Sequence, residues 1–296
     1  MEQMLFRSLM FVPGNRQRMI DKALALTTVD AIMLDIEDGV APAEKDPARR
    51  LISAALESPR GNAAGPARYV RINAIGHERM YADLEAVIRP ALEGLVLPKV
   101  DSPGQLKIVD EILRDREPGA GLKPSSVRLL VAIESPRGLF QAAAIASASP
   151  RVMGLMFGAE DFGREMGLPL LREGEARDLL YARSAIATAA AAANVQAVDG
   201  VWPDLQDIEG LHRFALQARR LGFTGMSAIH PSQVDAINEI FSPTAAEIDY
   251  CKNVIAAFEA AQLRGEGSIA FGGQLIDLPI VGRARRMLAL AAALKS

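Results

Sequence analysis

The chain has 296 residues, of which 50% are apolar and 23% are charged, and its formal net charge is −3. This composition predicts a soluble globular protein with a large core, and the dispersed Lys and Arg residues argue against nucleic acid or an anionic membrane as the main partner. The single cysteine, Cys251, excludes a disulfide framework or a thiolate metal cluster within one chain, so we expect a cytoplasmic location. We expect neither a signal peptide nor a membrane span, because the first residues lack the signal pattern and no apolar run reaches roughly 18 residues.

Short apolar segments alternate with amphipathic segments over most of the chain, which predicts alternating strands and helices. The predicted strands span residues 8–12, 31–35, 69–72, 94–97, 129–133, 152–157, 196–201 and 225–229. The predicted helices span residues 16–26, 47–56, 80–89, 103–116, 137–145, 176–193, 207–221 and 231–241. Eight strands, each followed by a helix, predict an α/β fold of the (β/α)₈ TIM-barrel type, with a doubly wound open sheet as the competing arrangement.

The last part of the chain is predicted to lie outside this barrel. We expect a barrel catalytic domain over residues 1–241 and a C-terminal helical extension over residues 242–296, with helices at 244–262 and 278–294. Between these two helices, four glycines indicate a mobile loop that could act as a lid or reach a neighbouring subunit: Gly265, Gly267, Gly272 and Gly273.

Polar or turn-forming strings follow the predicted strands. In chain order they are PGN, DIEDG, RIN, PK, IES, GAEDFG, DGVWPD and AIHP. In a barrel, the carboxyl ends of all eight strands surround one mouth, where active sites lie. We therefore expect the functional site at the carboxyl ends of the strands.

Two of these strings place a carboxylate after each of two consecutive strands, Glu134 in IES and Asp161 in GAEDFG. Neighbouring parallel strands would present both side chains at the same rim, which predicts a site for a hard cation. The alternative is that Glu134 lies at the N-terminus of a helix, where negative charge is favoured, and that Asp161 is an N-cap-like loop residue.

Further charged residues follow the second and third strands. Asp35, Glu37 and Asp38 repel one another unless a cation or donors lie nearby, so we assign Glu37 and Asp38 to orienting metal-bound water, with a solvated loop as the alternative. Arg71, in RIN, offers a planar donor fork to a substrate carboxylate or to an oxygen that gains negative charge. A salt bridge between Arg71 and the nearby acids is the alternative.

Longer motifs run through the chain in order: RSLMFVPGN, LDIEDGVAPAEKDPAR, RIN, LPKV, IESPRG, GAEDFG, QAVDGVWPD, GFTGMSAIHPSQV and GGQLIDLPI. Together they resemble the citrate lyase β-subunit-like family (HpcH/HpaI aldolase/citrate lyase), from about residue 7 to the end of the chain. Within that family the chain looks most similar to stand-alone members of the citramalyl-CoA lyase type. The resemblance implies a Mg²⁺-dependent barrel that cleaves or forms carbon–carbon bonds in 3-hydroxyacyl-CoA thioesters, and Mn²⁺ would fit the same oxygen ligands.

The resemblance also implies roles for particular residues. Glu134 and Asp161 occupy the positions of the family's metal ligands, and Arg71 occupies that of a substrate contact. Asp277 occupies the acid/base position and would complete the site of an adjacent protomer, although Pro279 two residues later also fits a helix N-cap at Asp277. The positions that bind the thioester are those of Phe11, Arg18, Lys22, Ile229 and His230.

Some of the residues assigned to thioester binding also have simpler interpretations. Arg18 stands where related chains carry lysine, which keeps the charge but changes the geometry, and two cations on a helix face are often just solvated. His230, which Pro231 follows, is also consistent with a turn residue whose ring is hydrogen-bonded locally.

The reaction that the resemblance implies is a retro-Claisen or retro-aldol cleavage that yields acetyl-CoA and a 2-oxo acid such as pyruvate. Cleavage of malyl-CoA or methylmalyl-CoA, and hydrolysis of malyl-CoA, are alternatives for the same site. More distant alternatives are a non-catalytic acyl-CoA-binding protein and a barrel aldolase that acts on free hydroxy-oxo acids. The resemblance also implies a homotrimer or a dimer of trimers.

Overall fold

Eight parallel strands form a closed barrel in the computed structural model, which describes residues 5–57, 65–170 and 176–294. Each strand pairs with the next one along the chain, and β1 also pairs with β8 to close the ring. The strands are β1 Ser8–Pro13, β2 Ala31–Asp35, β3 Ala67–Arg71, β4 Gly94–Leu97, β5 Arg128–Ile133, β6 Val152–Phe157, β7 Gln196–Asp199 and β8 Gly225–Ala228. The predicted (β/α)₈ barrel is confirmed, and closure excludes the doubly wound sheet.

Helices follow the strands. They are α1 Gln17–Leu24, α2 Lys45–Glu57, α3 Arg79–Val87, α4 Pro103–Gly119, α5 Pro136–Ala146, α6 Ala159–Met166, α7 Leu180–Ala192, α8 Ile208–Leu221 and α9 Val234–Phe241. Side-chain caps decide where some of them begin: Ser135 accepts from the Gly138 N–H at 2.8 Å at the start of α5. None of the helices in the described part of the chain combines the length and apolar character that crossing a bilayer requires.

The barrel interior is filled by side chains and is therefore a packed core. Phe6 and Tyr69 meet edge to face near its amino-terminal end, with ring centroids 5.2 Å apart. Gly94 leaves room for that tyrosine, because a β-carbon at Gly94 would lie 2.0 Å from the Tyr69 ring. Strands β2, β4 and β6 are buried along their whole length, which is why they read as largely apolar runs.

The strand register brings the ends of neighbouring strands to the same level. Asp35, the last residue of β2, pairs with Pro13 on one side and with Arg71 on the other. Ile133 pairs with Phe157 at the ends of β5 and β6. The residues that follow these strands therefore face one another across the same mouth.

The chain divides into two compact units, Met1–Glu239 and Ile240–Ser296. The second unit contains helices α10 Ala245–Gln262 and α11 Leu278–Ala293 around its own apolar core, which includes Val254, Phe258 and Val281. Between the helices, strands β9 Ile269–Phe271 and β10 Gln274–Ile276 form an antiparallel hairpin.

Three local details of the secondary structure differ from the prediction. Part of the segment that we expect to be a mobile loop is the β9–β10 hairpin, in which Gly272 and Gly273 make the turn with φ of +55° and +78°. The sequence also predicts no helix directly after β6, whereas α6 begins at Ala159 and places Asp161 in its first turn. The helix expected over residues 176–193 begins later, because a short 3₁₀ turn at Arg177–Leu179 precedes α7.

Candidate active site

A cavity of about 100 Å³ lies among the carboxyl ends of the barrel strands. Charged or aromatic side chains from four strand ends line it: Phe11, Arg71, Glu134, Phe157, Glu160 and Asp161. Gly158, Gly200 and Ser227 complete much of the remaining wall. The expected meeting of Glu134, Asp161 and Arg71 at one mouth is thus seen in the cavity lining.

A second, larger cavity of about 1160 Å³ lies at the opposite end of the strands, beside Tyr69, Arg128 and Asn194. It is remote from the paired carboxylates. Sites in barrels of this type form at the carboxyl ends of the strands, so we place the chemistry in the smaller cavity.

Glu134 follows β5 and is buried, with 5% of its surface exposed. Its Oε2 accepts a hydrogen bond from the backbone N–H of Lys99 at 3.0 Å. The pKa of the Glu134 carboxyl is raised to about 7, chiefly by burial; the nearby Arg71 opposes this rise, and the carboxylates of Glu37 and Asp161 contribute to it. A buried carboxylate at this position would be stabilised by a cation in the cavity.

Asp161 lies in the first turn of α6, where the helix dipole favours negative charge. Its Oδ1 lies 2.6 Å from Nη2 of Arg164, one turn along the same helix, and Arg164 is mostly exposed. Asp161 therefore does lie at the N-terminal end of a helix, as its local alternative role requires. It also faces the cavity that Glu134 lines, so both interpretations hold together.

Arg71, the last residue of β3, forms a two-pronged pair with Asp35. Its Nε lies 2.7 Å from Oδ1 and its Nη2 lies 2.7 Å from Oδ2 of Asp35. The same carboxylate accepts the backbone N–H groups of Glu37 and Gly39, each at 2.9 Å. Asp35 therefore has its oxygens occupied by four donors and serves to orient the guanidinium of Arg71.

Glu37 and Asp38 both form ion pairs with basic side chains. Glu37 is buried, and its Oε2 lies 3.2 Å from Nη1 of Arg71 while its Oε1 lies 2.5 Å from Nζ of Lys99. Asp38 is exposed and lies 2.8 Å from the same Nζ. The alternative of a salt bridge for Arg71 is thus observed, and the loop after β2 is only partly solvated.

Lys99 is the residue that sequence reasoning missed. It lies just after β4, and it contacts three acids of the mouth through its backbone N–H and its ammonium. The available signal was its place in the string PK, one of the eight polar endings, but no motif singled it out.

The five positions assigned to the thioester come from β1, from α1 and from the segment after β8, the strand that pairs with β1. Phe11 lines the cavity, and the Arg71 guanidinium lies 4.9 Å from its ring centroid. Arg18 and Lys22 are exposed on α1. The N–H of Ile229 donates to Gln233, and the His230 ring nitrogen Nδ1 accepts from the N–H of Ser232 at 3.2 Å, as expected for a turn residue.

Asp277 belongs to the second compact unit. It caps α11, where its Oδ1 accepts a hydrogen bond from the N–H of Ile280 at 3.3 Å. The local N-cap interpretation therefore describes its conformation. Its catalytic role in an adjacent protomer stays a prediction.

The donor set fits a hard divalent cation. The acids near the mouth outnumber the cationic side chains: Asp35, Glu37, Asp38, Glu134, Glu160 and Asp161 stand against Lys45, Arg71, Lys99 and Arg164. Across the described residues, no group of three or more His, Cys, Asp or Glu side chains is arranged to hold a metal ion. A cation held by Glu134 and Asp161 would thus take its other oxygens from water or substrate, as Mg²⁺ commonly does.

A family model described as HpcH/HpaI aldolase/citrate lyase matches residues 7–231. The chain belongs to this family. The resemblance that the motifs indicate is therefore confirmed.

Relatives in this family carry different activity names. Citrate lyase subunit beta of Escherichia coli K12 is 40% identical over 96% of this chain and 93% of that protein. The (3S)-malyl-CoA thioesterase of Cereibacter sphaeroides is 35% identical over 98% and 95%. The mitochondrial citramalyl-CoA lyase of Rattus norvegicus is 33% identical over 98% and 87%. The prediction of an enzyme of this lyase family is confirmed. The three relatives differ in the activity that they are named for, so they do not identify the substrate of this chain.

Solved structures extend the likeness to the fold. CitE from Mycobacterium tuberculosis, in complex with magnesium, acetoacetate and coenzyme A, has a TM-score of 0.78 and 33% identity, covering 98% of this chain and 99% of that chain. The same protein in complex with magnesium and pyruvate has a TM-score of 0.72 and 29% identity over 97% and 99%. Both of these related structures contain magnesium.

Proposed function

We propose that this protein is a Mg²⁺-dependent carbon–carbon lyase that cleaves a 3-hydroxyacyl-CoA thioester to acetyl-CoA and a 2-oxo acid. A citramalyl-CoA-like substrate, which would yield pyruvate, is our first choice. The observation that carries the proposal is the buried carboxylate of Glu134, which shares a small cavity with Asp161 and Arg71 at the barrel mouth. The relative named citramalyl-CoA lyase and the pyruvate-bound relative support this choice.

Glu134 and Asp161 are the residues that would hold the divalent cation. Bound there, the cation would supply Lewis-acid polarisation of the oxygens of the hydroxy acid end of the substrate. Mn²⁺ fits the same oxygen donors and is an alternative metal.

Arg71 would stabilise the negative charge that develops as the carbon–carbon bond breaks. Asp35 accepts two of its five N–H groups and Glu37 forms an ion pair with Nη1, which leaves N–H donors of the guanidinium for a ligand in the cavity. Because these acids fix the plane of the guanidinium before substrate arrives, little reorganisation would be needed during the reaction.

Asp277 of an adjacent protomer would handle the proton at the acetyl carbon. In the cleavage direction, the substrate hydroxyl would lose its proton to water and become the carbonyl of the 2-oxo acid, the electron pair of the broken carbon–carbon bond would pass to the thioester as an enolate, and Asp277 would protonate the enolate carbon. We place the thioester on Phe11, Arg18, Lys22, Ile229 and His230 by family resemblance. The same resemblance underlies our proposal of a trimer or a dimer of trimers, while our proposal of a cytoplasmic location rests on the single cysteine.

A thioesterase is the second candidate. The malyl-CoA thioesterase from Cereibacter sphaeroides, at 35% identity over nearly the whole chain, supports it. In that reaction water attacks the thioester carbonyl, and the products are free CoA and a hydroxy acid. Two further alternatives are the cleavage of malyl-CoA or methylmalyl-CoA, and the binding of acyl-CoA without catalysis. An assay with several thioester substrates distinguishes all of these alternatives.

The test is a panel of 3-hydroxyacyl-CoA thioesters incubated with the protein, with product identification by mass spectrometry. We expect acetyl-CoA and a 2-oxo acid with Mg²⁺, loss of turnover with chelator, and loss of turnover in Glu134→Ala. Free CoA with the intact hydroxy acid would instead establish the thioesterase. Chelator-resistant cleavage would contradict the metal role, and binding without turnover of any thioester would contradict catalysis.

A further inference from the structure

Lys99 has a backbone conformation that is unusual for a lysine. Its φ is +54°, in the left-handed region that favours glycine. A side chain in this region costs roughly 1 kcal/mol relative to glycine, so the conformation must be held by its surroundings. Backbone strain at the mouth of a barrel suggests that the residue positions a neighbouring group.

The strained backbone aims one donor at Glu134. The N–H of Lys99 lies 3.0 Å from Oε2 of Glu134, which comes from the neighbouring β5. This hydrogen bond engages one carboxylate oxygen, and the carboxylate borders the cavity that Asp161 also lines.

The side chain of Lys99 points to a different strand end. Its Nζ lies 2.5 Å from Oε1 of Glu37 and 2.8 Å from Oδ2 of Asp38, both in the loop after β2. Glu37 is buried and is also held by Arg71, so it is a fixed anchor. The ammonium of Lys99 thus binds the acids of the loop after β2, while its backbone N–H donates to Glu134, which follows β5.

We infer that Lys99 is a positioning residue whose ion pairs with Glu37 and Asp38 hold its own backbone in the left-handed conformation, and so keep its N–H on Glu134. This inference deepens the proposed function, on which it rests, because Glu134 is the proposed cation ligand. Without the tether, a non-glycine residue at position 99 relaxes to negative φ. Glu134 then loses the donor that orients it.

A simpler role for Lys99 would be charge neutralisation among the acids. The two roles have opposite consequences for cation binding. Removing a positive charge near the site strengthens the attraction for a divalent cation, whereas removing the tether releases Glu134 and weakens binding.

The experiment is isothermal titration of the full-length protein with Mg²⁺ alone. Lys99→Arg retains a cation for both acids and should bind within about threefold of wild type. Lys99→Gly loses the tether but adopts positive φ without strain, so its affinity should be intermediate. Lys99→Met loses the tether and, unlike glycine, is disfavoured at positive φ, so the backbone should relax, the N–H should leave Glu134 and the affinity should fall by about 10-fold or more.

The matched control is Asn194→Gly. Asn194 also has a positive φ, +55°, but it precedes β7 at the opposite end of the barrel. Its replacement should leave Mg²⁺ affinity unchanged. An equal loss of Mg²⁺ affinity in Lys99→Gly and Lys99→Met, or tighter Mg²⁺ binding in both variants, would contradict the inference.

Metal-free crystal structures of Lys99→Met and Lys99→Gly separate this inference from the proposed function. We expect position 99 to leave the left-handed region in the methionine variant, with its N–H away from Glu134, and to stay there in the glycine variant. A methionine variant with φ still near the wild-type value and its N–H on Glu134 would overturn the inference. A wild type that neither binds Mg²⁺ nor cleaves thioesters would count against the proposed function alone.

Discussion

Gly158 lies directly against the side chain of Glu134. A β-carbon at Gly158 would stand 2.3 Å from Cγ and 2.6 Å from Oε1 of Glu134. The two residues follow paired strand ends, and the N–H of Gly158 donates to the carbonyl of Ile133 at 3.0 Å. The glycine thus makes room for the carboxylate at the cavity.

Gly158→Ala should displace Glu134 because the added methyl group cannot coexist with the observed side chain. We expect thioester cleavage to fall by about 100-fold, as displacements of about 1 Å can cause. We expect a cost in unfolding free energy of about 1–3 kcal/mol. Steady-state kinetics and urea denaturation would measure the two effects.

The control is Gly163→Ala on α6, where a β-carbon would meet nothing closer than 4.0 Å. Alanine inside a helix is more stable than glycine by roughly 0.5–1 kcal/mol, so this variant should be active and slightly stabilised. Full activity in Gly158→Ala would show that the position of Glu134 tolerates a shift.

In the metal-free protein, the stability should depend on pH through Glu134. Burial raises its pKa from 4.5 to about 7. A group whose pKa is raised by folding contributes its full stabilisation below its unfolded pKa and loses it as the pH rises through the folded pKa. With chelator present, the free energy of unfolding should therefore fall by at most about 3 kcal/mol between about pH 5 and about pH 8.

Glu134→Gln is the control for this prediction, because the amide keeps an acceptor for the Lys99 N–H and carries no charge. Its unfolding free energy should lack the fall that Glu134 causes in wild type. At about pH 8, Mg²⁺ should stabilise wild type but not the variant, since only a ligand that binds the folded state raises stability. The same pH dependence in both proteins would argue against a raised pKa at Glu134.

Arg71→Lys should lower the turnover number by about 100-fold or more, because a single ammonium cannot reproduce the fork that holds Asp35 and still offer donors to substrate. Arg7→Lys is a matched control. Arg7 makes a similar two-pronged pair with Asp30, at 3.0 and 2.7 Å, beside the amino-terminal ends of the strands. Both variants should lose comparable stability in urea denaturation, but turnover should fall only in Arg71→Lys.

Asp277→Asn should bind thioester within a few-fold of wild type but turn over about 100-fold more slowly or worse, because an amide cannot donate the proton. Asn is as good an N-cap as Asp, so α11 should remain intact. Asp207→Asn is the control, since Asp207 caps α8 by accepting the Gly210 N–H at 2.7 Å. If Asp277→Asn loses thioester binding instead, the role of Asp277 is positional.

Strand positions were predictable because a strand buried on both faces must be apolar throughout. β2, β4 and β6 begin and end where the apolar runs do. Helix α6 was not predictable in this way, because GAEDFG has the glycines and acids of a turn. It forms because Asp161 occupies the favourable first turn and Gly167, with φ of +68°, ends the helix.

The meeting of Glu134 and Asp161 followed from their place after consecutive strands of a barrel. The role of Lys99 did not follow from any pattern, because its ion pair joins residues 62 positions apart and its left-handed backbone is atypical of lysine. The four donors on Asp35 could not be predicted either, since they come from the loop after β2 and from the neighbouring strand β3.

By itself, the amino-acid sequence determined the barrel, the end of the barrel that holds the site and the two acids proposed to hold a cation. These depend on local hydrophobic periodicity and on the constant direction of parallel strands. Only the tertiary structure decided which charges are paired, which carboxylate is buried and how Gly158 and Lys99 position Glu134. Those properties depend on distances between strands that are remote in sequence, and hydrogen bonds and desolvation act over a few ångströms of space.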